Sequence, residues 1–583
     1  MREGASLRGR LVCLAFAYGA LAPAVGHAQS FERVAPKLPA QPQTPPVEAP
    51  PPPPTVTQDQ TVLVPRLNGV VFVDGPAGLQ PRGVDPVAVP AGVAARGLPL
   101  LSGPEFAAKV RPNLDRPLTR AGVDALGNLV REAYRAAERP FIDVSVPPQN
   151  VQNGIVQIVV TEYRLGAVTV TGNQHFSTRQ ILGMSDLKRG DVLTLPALRK
   201  DLDGLNQNPF LAVSAMMKPG QETGESDLIL VARDQRPVRF YVGYDNQGVR
   251  SLGRDEWNVG VNWGNVFGTG QVFSYQYTRS FSGRYSSHSA SDVIPLNGDH
   301  RISIFGAYAS QRPEIATGFD SQGHSAQISG RFVSGLTSAP NRKQNLQVGL
   351  DYKRTDNNLE FSGFEILDTN VELVQVLLAY NLTLTDRRGQ TVIDNTLVYS
   401  PGDITKYNTD EAIRQLNPFS GETYGYDRLA VTRTTSLPKD FTWIIRAMGQ
   451  LASRDLPYSE QIGGGGLGVV RGYDPSTALG SEGVVLGTEV RLPAFSPLRL
   501  FDKNASGQDQ LQFGVFWDYA EVSEPDPLPD LPKRVKLESV GVNAHYSFGQ
   551  RFSLQLEIGS QLRDAPGETK RDAQAAVVAL IGF

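Results

Sequence analysis

The sequence predicts a membrane β-barrel of sixteen antiparallel strands, preceded by two small α/β domains outside the membrane. Three observations carry this prediction. The N-terminus resembles an export signal, helix and strand patterns recur twice between residues 66 and 237, and apolar and polar residues alternate from Val238 to Phe583. Beyond residue 28 no apolar run approaches the roughly 18 residues of a membrane-spanning helix, which excludes a helical membrane protein.

The first 28 residues have the features of a secretory signal peptide. Arginines precede an apolar run from Leu11 to Val25, and Gly26-His27-Ala28 supplies the small residues that a signal peptidase reads. A membrane anchor is the alternative, but the run is shorter than the roughly 20 residues that a spanning helix needs. We therefore expect cleavage after Ala28. The only cysteine, Cys13, lies in this segment, so the mature protein is expected to lack disulfides.

Residues 29–65 are predicted to be a proline-rich linker. The run from Pro50 to Pro54 cannot form a helix or a sheet ladder, because proline lacks the backbone N–H, and it favours an extended polyproline conformation. Prolines at positions 36, 39 and 42 also argue against a helix near the mature N-terminus.

Two units with the order β-α-α-β-β are predicted at residues 66–162 and 163–237. In the first, the strands are Gly69–Asp74, Phe141–Val146 and Gly154–Thr161, and the helices are Pro104–Val110 and Thr119–Ala137. In the second, the strands are Ala167–Asn173, Ala212–Lys218 and Asp227–Asp234, and the helices are Ser177–Gly183 and Leu195–Asn206. A stretch rich in glycine, proline and alanine, Gly75–Gly97, interrupts the first unit. Neither unit contains a catalytic cluster, so both are interpreted as binding modules.

The segment 238–583 has the alternation of a transmembrane barrel. In its first strand Phe240, Val242 and Tyr244 share one face, while Tyr241 and Asp245 share the other. A soluble sandwich also alternates, but many successive segments of about ten residues with aromatics near their ends favour the membrane. Counting these segments gives sixteen, and an even number returns both chain ends to the periplasmic side.

The sixth extracellular loop stands out from the others. It contains the glycine run 463–466, whose backbone can fold sharply, and then the sequence Val470, Arg471, Gly472, Tyr473. Further along, Phe516-Trp517-Asp518 belongs to a strand whose outward face includes Trp517. The period of two therefore points Asp518 into the lumen, where a carboxylate favours a cationic partner.

These residues together resemble the two-partner secretion transporters, the haemolysin and filamentous haemagglutinin exporters of the BamA-like outer-membrane superfamily. The resemblance covers nearly the whole mature chain and identifies the α/β units as POTRA domains. It implies that residues 470–473 form the functional motif of loop six and that Phe516 and Asp518 form the strand motif whose carboxylate pairs with Arg471 in the lumen. Phe583 ends the chain in an aromatic residue, as barrel-assembly signals do. The Gly75–Gly97 insertion and the prolines that argue against an N-terminal plug helix depart from the family pattern.

The resemblance also implies a mechanism and its partners. A large unfolded exoprotein would dock on the periplasmic POTRA domains by strand addition, thread the barrel and fold outside, as in type V secretion. The sequence has no phosphate-binding loop, so we expect no ATP and no other cofactor. Outer-membrane lipid and the barrel-assembly machinery are the other expected partners, and a net charge of −3 gives no reason to expect nucleic acid.

Three other functions fit the sequence less well. An outer-membrane protein assembly insertase would need more POTRA-like units than the two found, and a passive solute channel does not account for about 170 residues of preceding domains. An enzyme is the weakest interpretation, because no nucleophile motif is present and the histidines lack metal-ligand spacing. These histidines are His27, His175, His288, His300, His324 and His545.

Overall fold

The architecture comes from a computed structural model of the chain. It describes residues 31–40, 59–89, 91–222, 224–296, 298–314, 319–336, 339, 341–361, 364–475, 477–502, 508–527, 532–564 and 572–583. The predicted signal peptide with Cys13, and the centre of the predicted linker, lie outside these residues. Within them, none of the helices has the length and apolar character needed to cross a membrane.

The first α/β unit packs two helices on a four-stranded sheet. Its strands are β1 Val62–Val64, β2 Gly69–Asp74, β3 Val93–Arg96, β4 Leu118–Thr119, β5 Ile142–Ser145 and β6 Ile155–Glu162, and its helices are α1 Pro104–Val110 and α2 Arg120–Ala136. The sheet has the order β3-β2-β6-β5, and β1 pairs with β4. Leu126, Val130 and Tyr134 recur every four residues along α2 and are fully buried, so one face of this helix supplies much of the core.

Two features of this unit differ from the sequence prediction. The 75–97 insertion ends in β3, which pairs in parallel with β2 and so covers one edge of the predicted three-stranded sheet. The end of the predicted linker forms β1, because alternating valines at 62 and 64 can pair with Leu118–Thr119. The linker prediction for 29–65 is therefore corrected at this end.

The second α/β unit has the predicted element order. It contains β7 Arg164–Thr171, α3 Thr178–Met184, α4 Leu195–Leu205, β8 Leu211–Pro219 and β9 Glu225–Asp234, with the sheet order β7-β9-β8. The Asp234 carboxylate accepts hydrogen bonds from the backbone amides of Gln174, His175 and Phe176 at 2.6 to 3.0 Å. This fixes the turn that leads into α3.

The last part of the chain forms a closed barrel of sixteen antiparallel strands, which confirms the predicted fold class. Its first strands are β10 Val238–Asp245, β11 Glu256–Val266, β12 Gln271–Ser280, β13 Tyr285–Pro295, β14 His300–Gln311, β15 Phe319–Gly335, β16 Arg342–Phe361 and β17 Phe364–Asp386. They are followed by β18 Gly389–Ser400, α5 Asp410–Arg414, β19 Tyr424–Ser436, β20 Thr442–Ala452, β21 Ile462–Gly464, β22 Ala478–Gly480, β23 Glu482–Arg491, α6 Leu498–Phe501, β24 Asp509–Ser523, β25 Arg534–Phe548, β26 Phe552–Gln561 and β27 Ala573–Gly582. Among the strands described after residue 237, β21 and β22 stand outside the barrel wall and pair with each other.

The barrel is apolar outside and polar inside. On β24, Phe513 and Val515 are about half exposed on the outer face, whereas Asp518 on the inner face is fully buried. Inward residues of β12 such as Ser274, Gln276 and Thr278 are likewise polar and buried. This inversion is what a wall between lipid and a polar lumen requires.

The N-terminal segment 31–40 lies against the inner wall of the barrel. A single 3₁₀ turn, Phe31–Val34, places Val34 against Ala307 and Ala309. The Arg33 guanidinium lies 2.5 Å from the buried Glu256 carboxylate. This segment was predicted to be part of the linker. That prediction is corrected here, because Arg33 makes an ionic contact and Val34 an apolar contact with the lumen wall. The prolines prevent a longer helix.

Backbone groups of the N-terminal segment also bond to the wall. Gln276 Nε2 and Ser289 Oγ donate to the carbonyl of Val34 at 3.1 and 2.6 Å, and the amide of Lys37 donates to the Tyr241 hydroxyl at 2.8 Å. The segment therefore follows the wall formed by β10 to β14.

Candidate functional site

Loop six connects β20 to β23 and folds into the lumen. The hairpin of β21 and β22 begins this inward path, and the glycine run makes it possible. Gly465 and Gly466 have φ values of 108° and 95°, which residues other than glycine rarely adopt. A Cβ on Gly464 would lie 3.2 Å from Leu537 and 3.4 Å from Ala520, so the hairpin packs closely against the wall at this residue.

Arg471 and Asp518, which the sequence predicted to pair, are in direct contact. The Arg471 Nε and Nη2 atoms donate to the two Asp518 carboxylate oxygens at 2.7 and 2.9 Å, in a bidentate arrangement. The backbone amide of Arg471 adds a third bond at 3.2 Å. Arg471 is 2% exposed and Asp518 0%, so this pair does not belong to the weak class of solvent-exposed ion pairs.

Further charged residues extend the pair into a network. Arg471 Nη1 donates to Glu489 at 2.6 Å and lies 3.7 Å from Glu557. Glu489 also accepts from Arg491 at 2.5 Å, and Arg446 lies 3.6 Å from Glu489. Three arginines thus face three carboxylates, counting Asp518, and each charge is compensated by a neighbour. Buried charges persist in proteins only under this condition.

The other predicted motif residues hold the loop tip by different contacts. The Phe516 ring lies under the Arg471 guanidinium, 3.5 Å from the ring centre to Cζ. Val470 is fully buried in an apolar cluster with Ile462 and Leu537. The Tyr473 hydroxyl lies 3.0 and 2.7 Å from the carbonyl oxygens of Glu538 and Arg563.

Gly472 permits the closest approach of the tip to the wall. Its φ is 93°, and a Cβ there would lie 2.7 Å from the carbonyl oxygen of Gly559. A Cβ on Gly559 would in turn lie 2.6 Å from the Gly472 amide nitrogen. Two backbones therefore touch at a point where only glycine fits on either side.

Sequence reasoning missed Glu489, Arg491, Glu557 and Gly559 as members of the site. A signal for the first three existed, because the same alternation that pointed Asp518 inward also places these residues on the inner face of β23 and β26. Phe583, predicted as the assembly signal, pairs its backbone with Phe240, and its side chain is 75% exposed on the barrel's outside.

The arrangement anchors a loop and does not resemble an active site. Among the described residues, no group of three or more His, Cys, Asp or Glu residues is placed to hold a metal ion. The network instead pairs fixed charges at the tip of loop six. These contacts join loop six to the inner face of β24.

Comparisons with known proteins agree with this architecture. Residues 224–527, more than half of the chain, match the family model described as haemolysin secretion/activation protein ShlB/FhaC/HecB. The heme/hemopexin transporter protein HuxB of Haemophilus influenzae (strain 86-028NP) is 22% identical over 473 residues, which are 79% of this chain and 80% of HuxB. The outer membrane transporter CdiB-2 of Burkholderia pseudomallei is 23% identical over 428 residues, covering 70% of this chain and 69% of that protein.

Solved structures show the same fold. CdiB from Escherichia coli superimposes with a TM-score of 0.73 at 17% identity, covering 92% of this chain and 94% of CdiB. CdiB from Acinetobacter baumannii gives 0.62 at 17% identity, with 94% and 95% covered. Proteins of this family are transporters and not enzymes. The chain therefore belongs to the ShlB/FhaC/HecB family of two-partner secretion transporters, which are outer-membrane β-barrels with periplasmic POTRA domains.

Proposed function

We propose that this protein recognises an unfolded exoprotein through its POTRA domains and exports it through the barrel to the cell surface without ATP. The observation that carries the proposal is the polar lumen with loop six tied into it by Arg471 and Asp518. Loop six and the segment 31–40 both lie in the lumen, so an extended chain passes only when they move.

Open sheet edges support docking by strand addition. In the first unit the sheet order β3-β2-β6-β5 makes β3 and β5 its two edge strands. In the second unit the Asn206 side chain bonds to the amide and carbonyl of Val213 at 2.6 and 2.9 Å, on the edge of β8 that faces away from β9. Past Val213, no other described strand pairs with this edge, so the backbone groups of Ala215 and Met217 are placed to receive an extended chain.

The direction of export would come from folding of the cargo outside the cell. Burial of apolar surface in the folded exoprotein makes its return through the barrel unfavourable. The sequence has no phosphate-binding loop, which fits a transporter that uses no nucleotide. Phe583 at the end of β27 is proposed as the residue that the barrel-assembly machinery recognises when it inserts the barrel in outer-membrane lipid.

The test is secretion of a candidate large exoprotein, chosen from the genes that neighbour this one, in a host that has neither protein. Export should require this transporter, and purified transporter in liposomes without nucleotide should translocate the unfolded exoprotein. Secretion that does not depend on the transporter, or translocation only when ATP is added, would contradict the proposal.

Docking is tested separately by Met217→Pro, with Met217→Ala as the matched control. Proline removes one outward N–H from the β8 edge and so blocks strand addition, whereas alanine keeps it. We expect binding of the unfolded exoprotein to be lost in the proline variant only. Equal binding by both variants would show that the exoprotein does not dock on the edge of β8.

A further inference from the structure

The connection between β23 and β24 is the longest periplasmic connection between the barrel strands that the structure describes. β10 follows the periplasmic POTRA domains, so every second connection of the antiparallel wall returns to the periplasmic side. Residues 492–508 separate β23 from β24, whereas the other periplasmic connections contain between two and six residues. We call residues 492–502, which include α6, the periplasmic finger. Its length is more than the return of the chain from one strand to the next requires.

The periplasmic finger is bonded to the barrel wall at its start. The backbones of Phe495 and Leu511 exchange two hydrogen bonds of 3.0 and 2.7 Å, so strand pairing continues past the end of β23. The fully buried Asp509 carboxylate then accepts hydrogen bonds from the Ser496 hydroxyl at 2.5 Å and from the amide of Leu498 at 2.9 Å. These bonds fix the direction in which α6 leaves the wall.

This ordered segment exposes a cluster of large apolar side chains. The exposed fractions are 40% for Phe495, 41% for Leu498, 73% for Leu500 and 90% for Phe501. Leu500 and Phe501 are adjacent at the end of α6. A contiguous exposed apolar cluster on an ordered support marks a contact site for an apolar partner.

The lipid-facing wall leads directly to this cluster. Phe495 lies on the outer face, because it pairs with Leu511 and its ring lies 6.3 Å from that of the half-exposed Phe513. Trp443 and Tyr546 lie on the same face, at the periplasmic ends of the strands that flank β23 and β24. Aromatic side chains at strand ends mark the level of the lipid headgroups. The periplasmic finger therefore begins at the headgroup level of the periplasmic leaflet.

We propose that the periplasmic finger is a membrane anchor, which inserts Leu500 and Phe501 among the phospholipids of the periplasmic leaflet. Transfer of these side chains from water into the acyl region is favourable. Arg499 is exposed in the same turn of α6, and its guanidinium is suited to bind a headgroup phosphate. This inference goes beyond the proposed function, and its test needs no exoprotein.

Insertion can be measured with a fluorescent label at the end of α6. In Phe501→Cys, the new cysteine is the only one beyond residue 28 and can be labelled selectively with a nitrobenzoxadiazole dye. The full protein is placed in nanodiscs of phosphatidylethanolamine and phosphatidylglycerol, whose two faces are both open to solutes. Lipids with brominated acyl chains quench a dye inside the bilayer, whereas iodide quenches a dye in water. We expect the brominated lipids to remove most of the fluorescence and iodide to remove little of it.

Arg388→Cys with the same dye is the matched control. Arg388 is an exposed residue of the periplasmic connection between β17 and β18, which consists of Arg387 and Arg388 alone. Its dye should be quenched by iodide and not by brominated lipid, which also shows that the dye does not enter the bilayer by itself. Leu500→Cys should behave like Phe501→Cys. The heat-dependent shift of the barrel on a gel checks that each variant is folded.

Two results would overturn the proposal. The first is iodide quenching at residues 500 and 501 as strong as at residue 388, because the side chains would then lie in water. The second is shielding from iodide without quenching by brominated lipid, because protein and not lipid would then cover the periplasmic finger.

Discussion

The POTRA domains and the barrel place their polar groups in opposite positions. In the first α/β unit the interior is apolar, with Leu126 and Val130 at its centre, and charge lies on the surface. In the barrel the outer surface is apolar and the interior holds a cluster of six buried or half-buried charges that includes Arg471. A charge buried in the core of the α/β unit would destabilise it, whereas the charges buried in the barrel lumen contact loop six. The meaning of a buried charge thus depends on which side of the wall water occupies.

The largest effect on secretion is expected from removing both POTRA domains. Deleting Leu67–Pro237 should leave a barrel that inserts and shows heat modifiability, because the barrel wall closes on itself through β10 and β27. Secretion of the exoprotein should be abolished. Immunoblots of medium and outer membrane measure both quantities. If secretion continued at the normal level, the docking role of the POTRA domains would be wrong.

Two leucine-to-alanine substitutions compare how much each region depends on buried apolar side chains. Leu126→Ala leaves a cavity in a fully buried core and should destabilise the first α/β unit by about 2 to 5 kcal/mol. Leu350→Ala, at a lipid-facing position with 61% of the side chain exposed, should cost less than about 1 kcal/mol. Hydrogen exchange of α2 and of β16 in the full protein reports each locally. A larger loss of exchange protection in β16 of Leu350→Ala than in α2 of Leu126→Ala would contradict this expectation.

The N-terminal segment tests whether lumen charges hold chain segments in general. Arg33→Ala leaves the buried Glu256 without its ion-pair partner and should release the segment, raising channel openings in planar bilayers about tenfold. Leu38→Ala is the control, because the Leu38 side chain in the same segment is 44% exposed. Equal conductance of Arg33→Ala and wild type would show that the ion pair does not hold the segment.

A smaller, pH-dependent effect is expected at Glu524, which follows β24 outside the membrane. Burial raises its pKa to about 7, although a hydrogen bond from Ser481 opposes this shift, and the charge of Asp455 raises it further. Gln461 Nε2 also donates to this carboxyl at 2.6 Å, so Glu524 joins both ends of the β21–β22 segment. Since the folded loop binds the proton more tightly than a free glutamate, the protonated form stabilises the loop below about pH 4.5, and this contribution is lost as pH rises through about 7.

Hydrogen exchange of residues 461–481 should therefore be slower at pH 5.5 than at pH 8, after correction for intrinsic rates. Glu524→Gln, which cannot ionise, should remove most of this difference. The same pH dependence in Glu524→Gln would assign it to another group.

Much of the fold was predictable because both periodicities are strong. The alternation in β10 and β24 shows which residues face lipid, and the α2 pattern shows its buried face. The partners of Arg471 were only partly predictable. Alternation shows that Glu489 and Glu557 point inward, but which inward residues meet a loop depends on where the loop descends, and the strand pattern does not contain that information.

The segments that sequence reasoning misplaced lack periodicity. Residues 31–40 contain too few apolar residues to show a pattern, and their position depends on single contacts of Arg33 and Val34. The strand β3 is four residues long and lies in a glycine-rich insertion, where local preference is weak and pairing with β2 decides the conformation.

The central claim is that Arg471 and Asp518 act as one unit that holds loop six inside the barrel. The most direct measurement compares Arg471→Ala, Asp518→Ala and the double variant for exoprotein in the medium, normalised to barrel in the outer membrane. Both single changes should impair secretion strongly. Arg471→Ala should be the more severe, because it leaves Asp518 and Glu489 uncompensated while Asp518→Ala leaves Arg471 paired with Glu489. The double variant should be no worse than Arg471→Ala; wild-type secretion from Arg471→Ala, or strictly additive losses, would contradict the account.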